Sequence, residues 1–254
     1  MSKRYMSMIL AGLALFLTAC GSQSPETNSP DDPSEGADVQ AELPAWLDRF
    51  YNGSYEYLNS TIDPETGTAV TVMSGKRISS PYTEYVKVVE PGDSVWSEAY
   101  FHGDGDEIEA ILNTEDGYVT QQTKRGYPYG YGEELEFTEP EKEQLSDVEC
   151  DVYETEYTVD LAEQMNEDAG EEVISEPLTA VVTQKYYVDP EKDELIRVVT
   201  DLSDQTAKTE ASVFMMSQGL SAEEALEKTS GDQLQELIEI TAYDDDLSIE
   251  IPDV

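Results

Sequence analysis

From Ser54 onward the chain alternates between apolar and polar residues in short runs cut by turn residues, and no feature constrains its fold more. Tyr55 and Tyr57 open the pattern, and Thr68 to Val72, Tyr82 to Val89, Val95 to Phe101, Ile108 to Leu112 and Tyr118 to Thr123 continue it. Between these runs lie Asp63-Pro-Glu-Thr-Gly67, Pro91-Gly92-Asp93, Gly103-Asp-Gly105 and Glu115-Asp-Gly117. Successive residues of a strand face opposite sides of a sheet, so this alternation predicts strands with one face in a core and one in water. Glycine, proline and aspartate between such runs supply the tight turns of neighbouring antiparallel strands. The expectation is an antiparallel meander.

The elements on either side fit one α+β domain. Trp46, Leu47, Phe50 and Tyr51 fall on one face at helical spacing, and Pro44 suits a first turn, so a short amphipathic helix is expected to pack on the meander as a lid. A polar, Glu-rich connection over Phe137 to Asp147 precedes a second set of strands. Cys150 to Val159 alternates as a strand and runs into Asp160-Leu-Ala-Glu-Gln-Met165, a capped helical segment, followed by an acidic loop from Asn166 to Glu172. Further strands are expected over Leu178 to Val188, Glu194 to Leu202 and Ala207 to Met215, with Asp189-Pro-Glu-Lys-Asp193 as a hairpin turn. Ser221-Ala-Glu-Glu224 is a capping-box pattern that opens a helix over Ala222 to Lys228. Residues 234–243 carry both periodicities. A strand is favoured, because Leu247 to Ile251 follows an Asp244-Asp-Asp246 turn and would pair with it.

The N-terminus carries an address. Lys3 and Arg4 form a positive flank, Met6 to Leu17 is an apolar run of signal-peptide length, and Leu17-Thr-Ala-Cys20-Gly21 closes it. This ending resembles a bacterial lipobox. The resemblance implies that residues 1–19 are removed and that Cys20 is acylated and becomes a lipid-anchored N-terminus. Residues 20–42 are rich in Ser, Pro, Asp, Glu, Asn and Gly and too polar to bury a core, so they read as an extended acidic tether. The folded domain is expected over residues 43–254, and the expected location is extracytoplasmic, anchored to the cell membrane by lipid.

Charge narrows the partners. The full chain has 14 basic and 56 acidic residues, a formal −42; without Lys3 and Arg4 the balance is 12 against 56, or −44. Such a field repels nucleic acid and other polyanions. With Cys20 acylated, Cys150 has no partner for a disulfide, and a domain of this length must hold by core burial. Cys150 alternates with Val148 and Val152 and reads as a small buried hydrophobe.

Catalytic patterns are scarce. His102 is the single histidine, no G-x-S-x-G elbow is present, and a two-histidine zinc site is excluded. Gly103-Asp-Gly-Asp-Glu107 lacks the ligand spacing of a calcium loop and reads as a turn with solvated charges. Among 56 acids nothing singles out a catalytic carboxylate pair. The chain is therefore read as not an enzyme, with no cofactor and no metal. Two features stand out as ligand or partner contacts. Tyr127, Tyr129 and Tyr131 alternate with Gly and Pro in a loop, where rigid rings suit the mouth of a pocket or a partner contact, or fold back over the sheet edge. Met215 and Met216 line an adaptable apolar groove or are plain core.

Three phrases of the second half carry a family resemblance. Tyr153-x-x-x-Tyr157-Thr-Val-Asp160-Leu-Ala-Glu-Gln-Met165, Lys185-Tyr-Tyr-Val-Asp189-Pro-Glu-Lys-Asp-Glu-Leu-Ile196 and Ile249-Glu-Ile251-Pro252 resemble lipoproteins of the lipoprotein-carrier-like (LolA, LppX, RseB) superfamily. The resemblance covers Tyr153 to Val254, and more weakly Ser54 to Thr123. It implies an α+β fold: a strongly curved antiparallel sheet, an open half-barrel, with a few helices on its concave side. It also implies an apolar concavity that takes acyl chains or lipoproteins. The expected function is non-catalytic binding of a hydrophobic or amphipathic ligand such as a lipid. The alternative is a protein-interaction or sensory module with an envelope protein partner. The high acidity and the segment from Met215 to Gln233 depart from the family pattern and bear on which ligand is bound.

Overall fold

The computed structural model describes residues 43–63, 66–88, 97–114, 117–132 and 134–253. The signal peptide, Cys20, the tether and the Pro91–Asp93 turn lie outside the described residues. The chain begins with α1 (Ala45–Asn52) and then forms β1 (Ser54–Ile62), β2 (Ala69–Ser79), β3 (Tyr82–Val88), β4 (Ser97–Gly103), β5 (Glu107–Thr114) and β6 (Gly117–Lys124). A connection over 125–140 leads to β7 (Glu141–Leu145), β8 (Val148–Asp160), α2 (Leu161–Ala169), β9 (Thr179–Asp189) and β10 (Glu194–Asp201). The helices α3 (Ser203–Gln218) and α4 (Ala222–Leu226) precede β11 (Gln235–Tyr243).

These strands form one large antiparallel sheet of eleven, in the order β6-β5-β4-β3-β2-β1-β11-β10-β9-β8-β7, and it is not closed. Two meanders run outward from the centre, and β11 joins them by pairing with both β1 and β10. The alternation that predicts the strands also sets the inward face. On β9, Ala180, Val182, Gln184, Tyr186 and Val188 are all buried, while the intervening residues reach solvent or its edge.

Helix α1 lies on that inward face. Trp46, Leu47, Phe50 and Tyr51 are all buried, as their spacing predicts, and the Trp46 ring meets Tyr153 and Tyr186 while Phe50 stacks on Tyr55. Burying an aromatic side chain of this size contributes about 1.5–3 kcal/mol, which an eight-residue helix needs because it is too short to hold by itself. Helix α2 starts where expected, with the Asp160 carboxylate accepting from the Glu163 amide. It packs through Leu161 and Ala162 against Leu178 and Ala180, with Met215 of α3 on the same cluster. The capping box at Ser221 is present in full.

Four expectations are corrected. Ala207 to Met215 is not a strand but the middle of α3, which buries Ala211 and Ser212 and ends at Gly219 in the left-handed conformation. Ala207, Thr209, Ala211, Val213 and Met215 do alternate, yet residues four apart also share the buried face, and the helix formers Ala, Lys, Glu, Met and Gln decide between the two. The connection over Phe137 to Asp147 contains β7, an edge strand paired only with β8 and exposed along nearly all its length, so no apolar alternation marks it. Residues Asn166 to Ala169 continue α2 instead of forming a loop, and Gly170 closes the helix at φ 68°. Leu247 to Ile251 forms no strand, because both sides of β11 are already taken by β1 and β10.

Candidate functional site

The inward positions of the first meander enclose a cavity of about 320 Å³. Period two delivers the walls. Strand β1 contributes Tyr55, Tyr57 and Asn59, β2 contributes Met73 and Arg77, and β3 contributes Tyr82, Glu84, Val86 and Val88. Ala99 and Phe101 of β4 and Leu112 of β5 extend the apolar wall, and Ile238 closes it from β11. The roof is Phe50 of α1 together with Gly126, Tyr127 and Pro128 at the start of the connection between β6 and β7. Gly75, the inward residue between Met73 and Arg77, makes room: a Cβ there would lie 2.3 Å from the Tyr57 ring, which occupies the space a side chain would fill. Tyr57 and Gly75 are register partners, so the ring lies flat across the neighbouring strand.

One end of this cavity is polar and largely buried. The Arg77 and Glu84 side chains are 6% and 12% exposed, with Nη1 3.7 Å from Oε2. Tyr57 donates its hydroxyl to Glu84 Oε1 at 2.6 Å, Tyr82 donates to Oε2, and Arg77 Nη2 donates to the Gly126 carbonyl at 3.1 Å. The guanidinium also faces the Tyr82 ring. Two charges removed from water cost several kcal/mol each and are tolerated when paired and hydrogen-bonded, as here. The phenols respond: burial, then the Glu84 charge, holds Tyr57 and Tyr82 well above the ordinary tyrosine range, and burial pushes Tyr55 up to about 12. Burial works against the charge on Arg77, and the surrounding Tyr55, Glu84 and Tyr82 outweigh it, so the guanidinium stays charged.

Asn59 marks another position along the wall. It is 1% exposed and lines the cavity beside Glu236 of β11, whose carboxyl burial pushes up to about 7. Asn59 and Glu236 are close enough to interact, but no hydrogen bond of good geometry closes between them: neither amide atom of Asn59 nor Glu236 Oε2 has a partner.

The tyrosine loop is divided by the fold. Tyr127 lines the cavity roof and donates to Asp106 at 2.9 Å; it stacks on Tyr131 at 4.3 Å between centroids, and Tyr131 meets the edge of Tyr51. Tyr129 packs instead against Tyr157, Val182 and Leu202. Neither methionine lines this cavity: Met215 packs on the α2 cluster and Met216 is 49% exposed. His102 sits on β4, 3.2 Å from Glu109 on β5, and Cys150 is wholly buried on β8, where burial pushes its thiol up. Seven strand positions separate β4 from β8, so these two residues do not meet.

Arg77, Glu84, Asn59 and Gly75 are absent from the sequence reading. Their signal is parity. Met73, Gly75, Arg77 and Ser79 continue the inward register of β2, but the alternating run stops at Val72 because Ser74, Gly75 and Lys76 interrupt its apolar character. Glu84 shares parity with Tyr82, Val86 and Val88, a charge on an apolar face. No family model matches the chain, and no curated protein matches it.

Proposed function

We propose that this chain is a lipid-anchored extracytoplasmic protein that binds an apolar or amphipathic molecule, without catalysis, on the concave side of an open half-barrel. The observation that carries the reading is the cavity of about 320 Å³ walled by Phe50, Met73, Val86, Val88, Phe101 and Ile238. Ligand pockets of roughly 300–1,000 Å³ are mostly apolar with a few placed polar groups, and this one follows that pattern. The connection over 125–140 supports the curvature. In a flat sheet ten spacings of about 4.8 Å would set β6 and β7 about 48 Å apart. Sixteen residues reach that far only when nearly extended, at about 3.3–3.6 Å each. Four of them form a turn at 129–132, and the segment touches the inward face at Ser79, through Arg125, and beside Gln184, at Gly130. A curled sheet relieves that span. The anchor rests on the lipobox, and the acidic tether would hold the cavity near the membrane surface.

Two measurements test the reading. Mass spectrometry of the N-terminal peptide should find it starting at an acylated Cys20; a free thiol on an uncleaved leader removes the anchor. Native mass spectrometry with organic-solvent extraction, on the full chain carrying Cys20→Ser to keep it free of its own lipid, should find a stoichiometric apolar molecule. A clean apo mass that stays unchanged after lipid addition overturns ligand binding. Weight would then pass to partner contact. That second reading is favoured by the outer-face ring series Tyr85, Tyr100 and Tyr118, where Tyr118 is 42% exposed.

A further inference from the structure

We propose that the cavity selects a ligand whose polar end is uncharged and both donates and accepts hydrogen bonds, an amide or hydroxyl on an aliphatic body, and that Asn59 receives that end. The inference rests on the binding reading above and names the chemistry of the same site. Its ground is Asn59, 1% exposed, lining the cavity, with neither amide atom hydrogen-bonded. A carboxamide presents an oxygen that accepts and a nitrogen that donates two hydrogens. An ionised Glu236 can accept only from the Asn59 nitrogen, so in that state the Asn59 oxygen stays without a partner, and no hydrogen bond to either amide atom closes in the structure. A buried amide left unpaired costs about 1–3 kcal/mol, and a ligand group that pairs with it recovers that cost.

Charged ends are disfavoured by what already occupies the walls. The buried cation, Arg77, already faces the Glu84 carboxylate, the Gly126 carbonyl and the Tyr82 ring, so an anion that reached its one unpartnered nitrogen, Nε, would sit beside the Glu84 charge. The formal −42 of the chain opposes anion entry as well. A cation finds Glu84 already accepting from Tyr57 and Tyr82 and facing Arg77. Asn59 and Arg77 also stand apart. Asn59 lies four residues along β1 from Tyr55, the register partner of Arg77, roughly 13 Å at the rise of a strand. Met73, Val86, Val88 and Phe101 supply the apolar wall for an aliphatic body.

The test is calorimetric titration of the full chain, in detergent-free buffer, with four probes of one chain length: decanamide, decyl sulfate, decyltrimethylammonium and decane. Decanamide should bind about tenfold tighter than each of the other three, the effect of one buried hydrogen bond. Asn59→Leu, which keeps the volume, should abolish that preference while decane affinity holds or rises. Equal affinity for decanamide and decane would mean that water alone serves Asn59, and overturns the inference while leaving the pocket in place. Tighter binding of either ionic probe overturns it in the same way. Failure of all four probes removes the pocket reading and this inference with it. The probe ranking on the unaltered chain decides the matter even where the variant does not fold.

Discussion

Glu236 shows what one residue does to the pH response of the fold. Its carboxyl is pushed up to about 7 by burial, with the neighbouring Asn59 working slightly the other way. An unfolded glutamate titrates near 4.3, so between about pH 4.3 and pH 7 the folded chain holds a proton that the unfolded chain releases. Stability from this group is therefore full below about pH 4.3, falls as pH rises toward 7, and is level above. The loss amounts to roughly 2–3 kcal/mol after allowance for partial solvent contact. Urea unfolding at about pH 5 and about pH 8 should show a decline that Glu236→Gln flattens by that amount. Parallel declines in the two proteins would place the responsible group elsewhere. Glu236 was hidden from the sequence for the same reason as Arg77 and Glu84. Each occupies an inward position by parity with apolar neighbours, Ile238 and Ile240 in its case, and a charge there gives no sign of burial until the pairing is known.

At the scale of elements, legibility followed how locally each was determined. Helix α1 and the caps at Asp160 and Ser221 are fixed by residues within a few positions of one another, and all stood in the sequence. Strand β7 and the unpaired tail after β11 depend on which edges are free, which only the assembled sheet decides. The pairing of β1 with β2 lies between these cases. Its register places Tyr57 over Gly75, a contact that alternation alone does not reveal, because glycine carries no hydropathy signal. Gly75→Ala would drive a Cβ to 2.3 Å from the Tyr57 ring and displace its hydroxyl from Glu84. Overpacking of this kind should cost about 2 kcal/mol. In a domain of this size that lowers the Tm by about 4–8 °C. In a Tyr57→Leu background the same substitution should cost much less, since the ring is gone. An equal cost in both backgrounds would show that the glycine matters for its backbone and not for the space it leaves.

The whole molecule is governed by a charge imbalance that its fold does not neutralise. The order in which β11 enters between β1 and β10 joins segments about 180 residues apart, and no local pattern announces it; the excess of acid is legible at once. Outside the cavity several lysines and arginines pair with carboxylates, among them Arg49 with Glu194, Lys142 with Asp151 and Arg197 with Glu239. Exposed pairs of this kind contribute about 0–1 kcal/mol each and weaken in salt. Against them stand 56 acids facing 14 bases, whose mutual repulsion opposes the compact state. Raising NaCl from about 0.01 M to about 0.15 M shortens the screening length from about 30 Å to about 8 Å. That removes the long-range repulsion among acids across the sheet while the short-range pairs persist in part, so the repulsion term wins. Thermal melts should move up by several degrees over that range. Choline chloride should act as well as NaCl, because screening does not depend on the identity of the cation. A melting point that falls with salt would assign the stability to the ion pairs. A rise with small metal cations alone would point to cation binding instead of screening.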